Sequence, residues 1–321
     1  MAAKRYLVTG GTGFIGSALV RRLVHDGAQV RVLDDNSRGV SARLDDVRKD
    51  IELVDADIRN SDAVHSAAEG VDSVCHLAFV NGTEFFYSMP DLVLDVGVRG
   101  MVNVLDACVR HDVGELVLAS SSEVYQSPSK VPTDESVPLT IPDPLNPRYS
   151  YAGGKLISEL MAINFGRDKF QRVLIFRPHN VYGPDMGWEH VLPQFVLRML
   201  KLSGKPDDPL PFPIQGSGNQ SRAFVFIDDF IDGLMRILEH GVHLGIYHIG
   251  TNEEVTISEA AKLVGTYFDR EITIVEGPAA GGGTQRRCPD ISRLAALGFV
   301  PQYALRDGLP ILADWYVKNA D

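Results

Sequence analysis

Cysteine is scarce in this chain: Cys75, Cys108 and Cys288 are the three among 321 residues, too few and too scattered for a disulfide framework or a zinc knuckle. Long apolar runs are missing too. Nothing approaches the roughly 20 apolar residues of a membrane-spanning helix, and Met1 to Thr9 passes straight into a strand pattern without a cleavable signal, so a cytoplasmic protein is expected. Positive charge is in short supply, with 31 Lys and Arg against 42 Asp and Glu and a formal net charge of −11. That balance argues against nucleic acid or an anionic membrane as the main partner, because phosphate backbones call for clustered Lys and Arg. Phosphorylated small molecules stay open, since local donors hold them whatever the global charge. Internal repeats, coiled-coil heptads and low-complexity tracts are also lacking.

What is present is ordinary soluble composition, 45% hydrophobic and 23% charged, in a chain long enough for two domains at roughly 150 residues each. From Lys4 to about Leu174, the short apolar runs YLVTG, VRVLD, IELVDAD, SVCHLA, ELVLAS and RVLIFR alternate with helix-period stretches. Their near-continuous Val, Leu and Ile content suits strands buried on both faces of a parallel sheet. Between them, Phe14 to His25 puts Phe14, Ile15, Ala18, Leu19 and Leu23 on one helical face. The alternation predicts a doubly wound α/β lobe. After Pro178 the texture changes. Prolines and glycines crowd residues 203–218, predicting a long irregular loop, while RAFVFIDDFIDGLMRIL reads as a strand followed by a helix. VTISEAAKLVGTYF and LPILADWYV read as further helices.

The first strand runs into GGTGFIG, where Gly11, Gly13 and Gly16 have the G-x-G-x-x-G spacing with Gly10 in front. Glycine is common and the pattern alone is weak, but here it follows a strand, opens a helix, and is answered by Asp34 at the end of the next strand. Such glycines permit close backbone approach to a pyrophosphate, and the helix N-terminus offers unpaired N–H groups to its charge. Asp34 can accept hydrogen bonds from the ribose hydroxyls and would repel a 2′-phosphate, favouring NAD over NADP; Arg31 and Arg38 lie near enough in sequence to blur that preference. Asp57 is either an adenine-side residue or the N-cap of the next helix. Around these groups the expected cofactor set takes in Phe14, Ile15, Asp35, Asn36, Ile58, Leu77 and Ala78. The fold class is therefore α/β, a doubly wound parallel sheet of Rossmann type over residues 1–177 that also receives segments near 222–250. A smaller α/β substrate-binding lobe completes the chain, drawn mainly from 178–321.

In PRYSYAGGKLISELM, Tyr151 and Lys155 stand one turn apart and share a helical face. A free phenol is a poor base at neutral pH, but an ammonium held nearby favours its ionised form and makes it a usable proton acceptor. Upstream, ELVLA runs into SSSEVY, so small hydroxyls emerge at the carboxyl end of a parallel strand, where open α/β sheets place their ligands. A serine there can hydrogen-bond a substrate oxygen and share its proton with the tyrosine. With an N-terminal dinucleotide site, this reads as alcohol-to-ketone hydride chemistry. Gly153 and Gly154 leave the helix surface bare beside the pair, at about 1 kcal/mol each in helix propensity.

These motifs together resemble the extended short-chain dehydrogenase/reductases acting on nucleotide sugars, the NAD-dependent epimerase/dehydratase family. The resemblance covers nearly the whole chain: VTGGTGFIGSALV, CHLA at 75–78, GMVNVLDAC at 100–108, SSSEVY, YAGGK, FRPHNVYGP at 176–184 and RAFVFIDD at 222–229 come in the family's order. It implies NAD as cofactor, with Tyr151 and Lys155 also touching it, and a catalytic set of Ser121, Tyr151 and Lys155. It further implies Asn180 near the sugar phosphates and Arg222 on the nucleotide pyrophosphate, a task suited to a bidentate guanidinium. Either Arg286 or Arg287 contacts the nucleotide, Arg287 being preferred, and Ser122 lies on the substrate side. Helical stretches 92–110 and 152–165 would form a homodimer interface. Gly97 stands where the family often has asparagine, and Gln126 where it often has glycine.

Members share oxidation at C4 of the sugar and differ in the fate of the resulting ketone. Return of the hydride to the other face of the 4-keto sugar gives 4-epimerisation, which needs only Ser121, Tyr151 and Lys155, and is the favoured reading. A 4,6-dehydratase needs a C5 base and an acid for the C6 hydroxyl; Glu123 could be the base, but Ser122 is a weak donor. Uronate decarboxylation is the third outcome, and QRRCPDI resembles the corresponding stretch of such enzymes. A non-catalytic NAD(P)-binding regulator is the reading from another class, against which the Tyr-Lys pair stands intact. No metal site is expected: histidines 240, 243 and 248 straddle a helix end and a strand. His76 reads as a packing or cofactor-side residue, Trp188 and His190 as either a sugar cover or loop packing, and Asp228 and Asp229 as an N-cap and a first-turn charge.

Overall fold

The computed structural model describes residues 3–278 and 284–320. Its regular elements begin with β1 (Arg5–Thr9), α1 (Phe14–His25), β2 (Gln29–Asp34), β3 (Ile51–Asp55), α2 (Ser61–Ala68) and β4 (Ser73–His76). The short α3 (Thr83–Ser88) and α4 (Pro90–Leu94) lead through a π-helical turn, Asp95–Arg99, into α5 (Gly100–Arg110). Then come β5 (Glu115–Ala119), a 3-10 turn at Ser122–Tyr125, α6 (Ser150–Lys169) and β6 (Arg172–Pro178). The remainder holds β7 (Val181–Tyr182), α7 (Val191–Leu202), β8 (Leu210–Ile214), β9 (Ser221–Ala223), β10 (Val225–Phe226), α8 (Ile227–His240) and β11 (Gly245–Ile249). It closes with β12 (Glu254–Thr256), α9 (Ile257–Tyr267), β13 (Ile272–Glu276), β14 (Arg286–Arg287), α10 (Ser292–Ala295) and α11 (Leu305–Asn319).

Two compact units result, one of residues 1–126, 138–178 and 231–247, the other of 127–137, 179–230 and 248–321. In the first, a seven-stranded sheet runs in the order β11-β6-β5-β4-β1-β2-β3, and the registered pairs from β3 to β6 are all parallel. The order reverses between β1 and β4, which opens a crevice at the carboxyl ends of those two strands. Apolar runs, not alternation, build these strands because both faces are covered: Leu116 and Leu118 of β5 join a core with Val104, Leu105 and Ala162, while Val117 between them is also fully buried. Each such leucine contributes about 1.5–3 kcal/mol. Along α1, Leu19, Val20 and Leu23 are buried, as its period requires. His76, closing β4, is buried and neutral; its Nδ1 lies 2.8 Å from the Thr9 hydroxyl, and burial pushes its pKa down to about 3.

In the second unit β9 sits between antiparallel β12 and parallel β14. Residues 203–218 depart from the expected irregular loop, because β8 forms within them and pairs parallel with β13. Leu210, Phe212 and Ile214 point into the core while Pro211 and Pro213 are exposed. A two-stranded pair leaves each strand an edge, and an edge tolerates residues with no N–H to donate. Asp228, expected as an N-cap, lies instead within the first turn of α8, beside Asp229, which takes its expected first-turn place and accepts from the backbone N–H groups of Gln302 and Tyr303. Among the described residues no helix is long and apolar enough to cross a membrane.

Candidate functional site

The glycine loop lies at the crevice of the first unit. Gly10 has a φ of +73°, and a Cβ there would stand 2.6 Å from the Ala78 backbone nitrogen; at Gly16 it would stand 2.0 Å from the Gly10 carbonyl oxygen. Side chains are excluded by backbone on both counts. Gly13 caps α1 without a side-chain acceptor, which leaves first-turn N–H groups for a phosphate. Asp34 is nearly buried and holds the loop from below, one carboxylate oxygen accepting from Thr12 N at 3.0 Å and the other from Asn36 N at 2.9 Å. Each oxygen keeps lone pairs for ribose hydroxyls.

A cavity of about 120 Å³ opens here, lined by Gly10, Gly13, Asp34, Asp35, Asp57, Ile58, Leu77 and Ala78 of the expected cofactor set. Gly11, Phe14, Ile15, Gly16, Asn36, Tyr151 and Lys155 lie outside that lining; Gly11 packs against Val32, and Phe14 and Ile15 begin α1. The bare cradle, the uncapped helix end and the acidic residue closing β2 fit a dinucleotide. Three details alter the expectation from sequence. Arg31 is tied to Glu52 and to the carbonyls of Ala67 and Glu69, so of the two arginines only Arg38 lines the cavity, with its guanidinium over the Phe85 ring at 4.4 Å. Asp57 is not a helix cap: Asn60 caps α2, and Asp57 is paired with Arg59, whose hydrogen bonds hold the carboxyl below its usual range. Phe79, Val80 and Val96 also line the cavity, and no motif in the sequence marks them.

The candidate reactive groups stand on β5's exit and on α6. After Ala119 the chain leaves the sheet, and the Ser121 hydroxyl caps the 3-10 turn by accepting from Glu123 N at 3.1 Å. Ser122 is buried and Glu123 half-buried. Gln126, which ends that turn, has a φ of 54°, a left-handed conformation that favours glycine. Tyr151 is packed by Phe86, stacked at 4.8 Å, and Phe79, edge-on at 5.2 Å. Lys155 is 3% exposed; its Nζ donates to the Ala119 carbonyl at 2.7 Å, lies 4.0 Å from the Phe79 ring centroid and 5.9 Å from that of Tyr151. Burial pushes its pKa down to about 7, against the opposing charge of Glu159. Of the two helix glycines, Gly154 alone is constrained, its Cβ direction 2.9 Å from Phe79, while Gly153 faces open space apart from Ile141 at 3.8 Å.

One turn beyond Lys155, Glu159 receives Arg177 of β6 bidentately, at 2.8 and 2.6 Å. Ser120 donates to the same carboxylate, and Arg177 also reaches the Tyr125 hydroxyl. All four side chains are buried, so their hydrogen bonds fasten β5's exit, α6 and β6 to one another. The Lys155-to-Glu159 spacing was visible in the sequence; the partner 18 residues further on was not.

The second unit holds the remaining expected residues. Asn180, with a φ of 41°, donates its amide to the Ala223 carbonyl at 2.9 Å. Arg222 and Arg287 are register partners on β9 and β14. Arg286 is engaged by Glu254, at 2.9 and 2.8 Å, and Arg287 donates to the Thr284 hydroxyl at 3.1 Å. His248 sits beside His179 and Glu135, apart from His240 and His243, and among the described residues no group of three His, Cys, Asp or Glu could hold a metal. Trp188 packs on Tyr316 at 4.9 Å, so its loop is held by its own unit.

The family model described as the NAD dependent epimerase/dehydratase family matches residues 6–250. The chain is 33% identical over 312 residues, 96% of its length and 67% of the relative's, to UDP-glucuronic acid decarboxylase 4 of Arabidopsis thaliana. Among solved structures, the dTDP-glucose 4,6-dehydratase DesIV from Streptomyces venezuelae, with NAD and TYD bound, matches with a TM-score of 0.87 and 31% identity over 98% of this chain and 97% of that one. UDP-glucose 4-epimerase from Thermotoga maritima, with UDP-glucose, matches with a TM-score of 0.86 and 25% identity over 99% and 100%. NAD is the cofactor these comparisons support. The variant Gly16→Ala, whose methyl meets the Gly10 carbonyl, should weaken NAD binding by roughly tenfold or more in calorimetric titration, a loss of about 1.4 kcal/mol or more, while the far-ultraviolet dichroism stays native; unchanged affinity would remove the loop from the cofactor site.

Proposed function

The chain belongs to the NAD-dependent epimerase/dehydratase family, and within it we propose that it decarboxylates a nucleotide-linked hexuronic acid of the UDP-glucuronic acid class. This replaces the 4-epimerisation favoured on sequence grounds. The observation that carries it is the Ser121-Ser122-Glu123 turn, taken with relatives that are UDP-glucuronic acid decarboxylases at about 30% identity over nearly the full chain. Dehydration must expel a C6 hydroxyl and so needs a good acid, and a buried serine hydroxyl is a poor one. Decarboxylation has no such leaving group.

Bound NAD would supply the hydride acceptor at C4 and return the hydride at the end. The chain's own residues do the rest. The Tyr151 phenolate takes the proton of the C4 hydroxyl, Ser121 hydrogen-bonds the same oxygen, and the Lys155 ammonium favours the phenolate. Once C4 is a ketone, the C5 carboxylate is a β-keto acid. The C5–C6 bond breaks, carbon dioxide leaves, and the electron pair moves onto the C4 oxygen as an enolate, stabilised by hydrogen bonds from Ser121 and Tyr151. A proton then returns to C5, with Glu123 as the candidate carrier. Arg222 and Arg287 take the nucleotide's phosphates and Asn180 lies near them.

Incubated with UDP-glucuronic acid and NAD, the protein should release carbon dioxide and give a UDP-pentose by proton NMR. Formation of UDP-galacturonic acid without gas release would return the epimerase, a 4-keto-6-deoxy product from dTDP-glucose the dehydratase, and NAD binding with no turnover of either sugar the regulator. The chain is also read as a homodimer through α5 and α6, a reading supported by Val102, Val109, Ile157, Leu160 and Phe165, all more than a third exposed, with Leu160 at 53%. Leu160→Glu should then shift the native mass in solution from dimer to monomer, and a monomeric wild-type chain would contradict the reading.

A further inference from the structure

The geometry points to Phe79 as a positioning residue of the Tyr151–Lys155 pair: its ring face carries the Lys155 ammonium, its edge meets the Tyr151 ring, and Gly97 and Gly154 lack side chains in order to admit it. The inference rests on Tyr151 and Lys155 being the reactive pair. Three observations carry it. Lys155 Nζ stands 4.0 Å from the Phe79 centroid, inside the range where an aromatic quadrupole attracts a cation, and strongly so when both are desolvated. Phe79 and Tyr151 meet edge to face at 5.2 Å, so one ring fixes both groups. Finally, a Cβ at Gly97, in the π-helical turn, would lie 2.3 Å from the Phe79 ring, and one at Gly154 would lie 2.9 Å from it. Two positions on separate elements are thus cut back around a single side chain.

Few other groups compete for control of Lys155. Glu159 favours its charge from its own helix, where the Tyr151 ring also lies 5.9 Å away, and buried His76 of β4 is kept neutral in part by Lys155 itself. β5 offers the Ala119 carbonyl. Arg177 of β6 is occupied by Glu159 and Tyr125, Glu123 stands on the 3-10 turn, and Asp95 of the π-helical turn is paired with both Arg99 and Arg59. With burial opposing the ammonium, the aromatic face becomes a principal source of stabilisation. Take it away and Lys155 loses its proton more readily, Tyr151 loses the charge that makes it acidic, and the base is formed only at higher pH.

The test uses the full-length protein without nucleotide. Lysine labelled with carbon-13 at Cε is titrated by NMR, with the Lys155 signal assigned through Lys155→Met, in the wild type, in Phe79→Leu, in Gly97→Ala, and in proteins carrying mono-, di- and pentafluorophenylalanine at 79. Fluorination keeps the ring's shape and drains its quadrupole, so a packing role alone would leave the midpoint in place. The Lys155 midpoint is expected to fall stepwise with fluorination and by about one pH unit, tenfold in the constant, in Phe79→Leu, with Gly97→Ala moving it the same way. The acid limb of the pH–rate profile on UDP-glucuronic acid should move to higher pH in the same order. A midpoint constant across the fluorinated series overturns the inference even if the enzyme is active, whereas a graded midpoint upholds it even if UDP-glucuronic acid is not the substrate.

Discussion

An ammonium group taken out of water is costly unless something inside the protein stands in for the lost hydration, and the whole first unit is arranged around one such group. Lys155 is held by the Ala119 carbonyl, the face of Phe79 and, one turn on, the carboxylate of Glu159. Glu159 is itself a buried charge, and the bidentate Arg177 pair with Ser120 satisfies it. A chain of compensations therefore runs from the Tyr151–Lys155 pair into the centre of the sheet. It fixes β5's exit, α6 and β6 to one another.

The cofactor side obeys a complementary logic of removal. Side chains are absent where backbone is closely approached, at Gly10 and Gly16, and a carboxylate is present beneath the loop, at Asp34. The same logic returns around Phe79, where Gly97 and Gly154 yield space to an aromatic ring.

Much of this was legible in the sequence. The six strands from YLVTG to RVLIFR formed close to their expected bounds, and the helix Phe14–His25 formed as read, because their apolar periods are strong and local. The candidate pair Tyr151 and Lys155 stood out by helical repeat and a serine by its place at a strand exit, while the resemblance to the family was needed to single out Ser121. What escaped depends on approach between distant segments. β8 was hidden because prolines read as loop, although the alternation of Leu210, Phe212 and Ile214 was present. Asn60, not Asp57, caps α2, a choice made by backbone geometry within three residues. Arg177 and Phe79 carry no local sign of their partners. The reaction itself was undetermined by the triad, which serves every branch of the family: 4-epimerisation was favoured on sequence grounds, Ser122 and Glu123 kept dehydration open, only the QRRCPDI stretch suggested decarboxylation, and the comparisons lean to that last branch over the favoured one.

The central claim is that a phenol, made acidic by a neighbouring ammonium, takes the C4 proton. Replacing Tyr151 by phenylalanine removes one oxygen and leaves the packing against Phe79 and Phe86 in place. Turnover of the nucleotide sugar by that variant, monitored by NMR beside a calorimetric titration with NAD, is the most direct measurement. Turnover should vanish while NAD affinity stays at the wild-type value; a variant that keeps turning over its sugar would show that another group removes the proton.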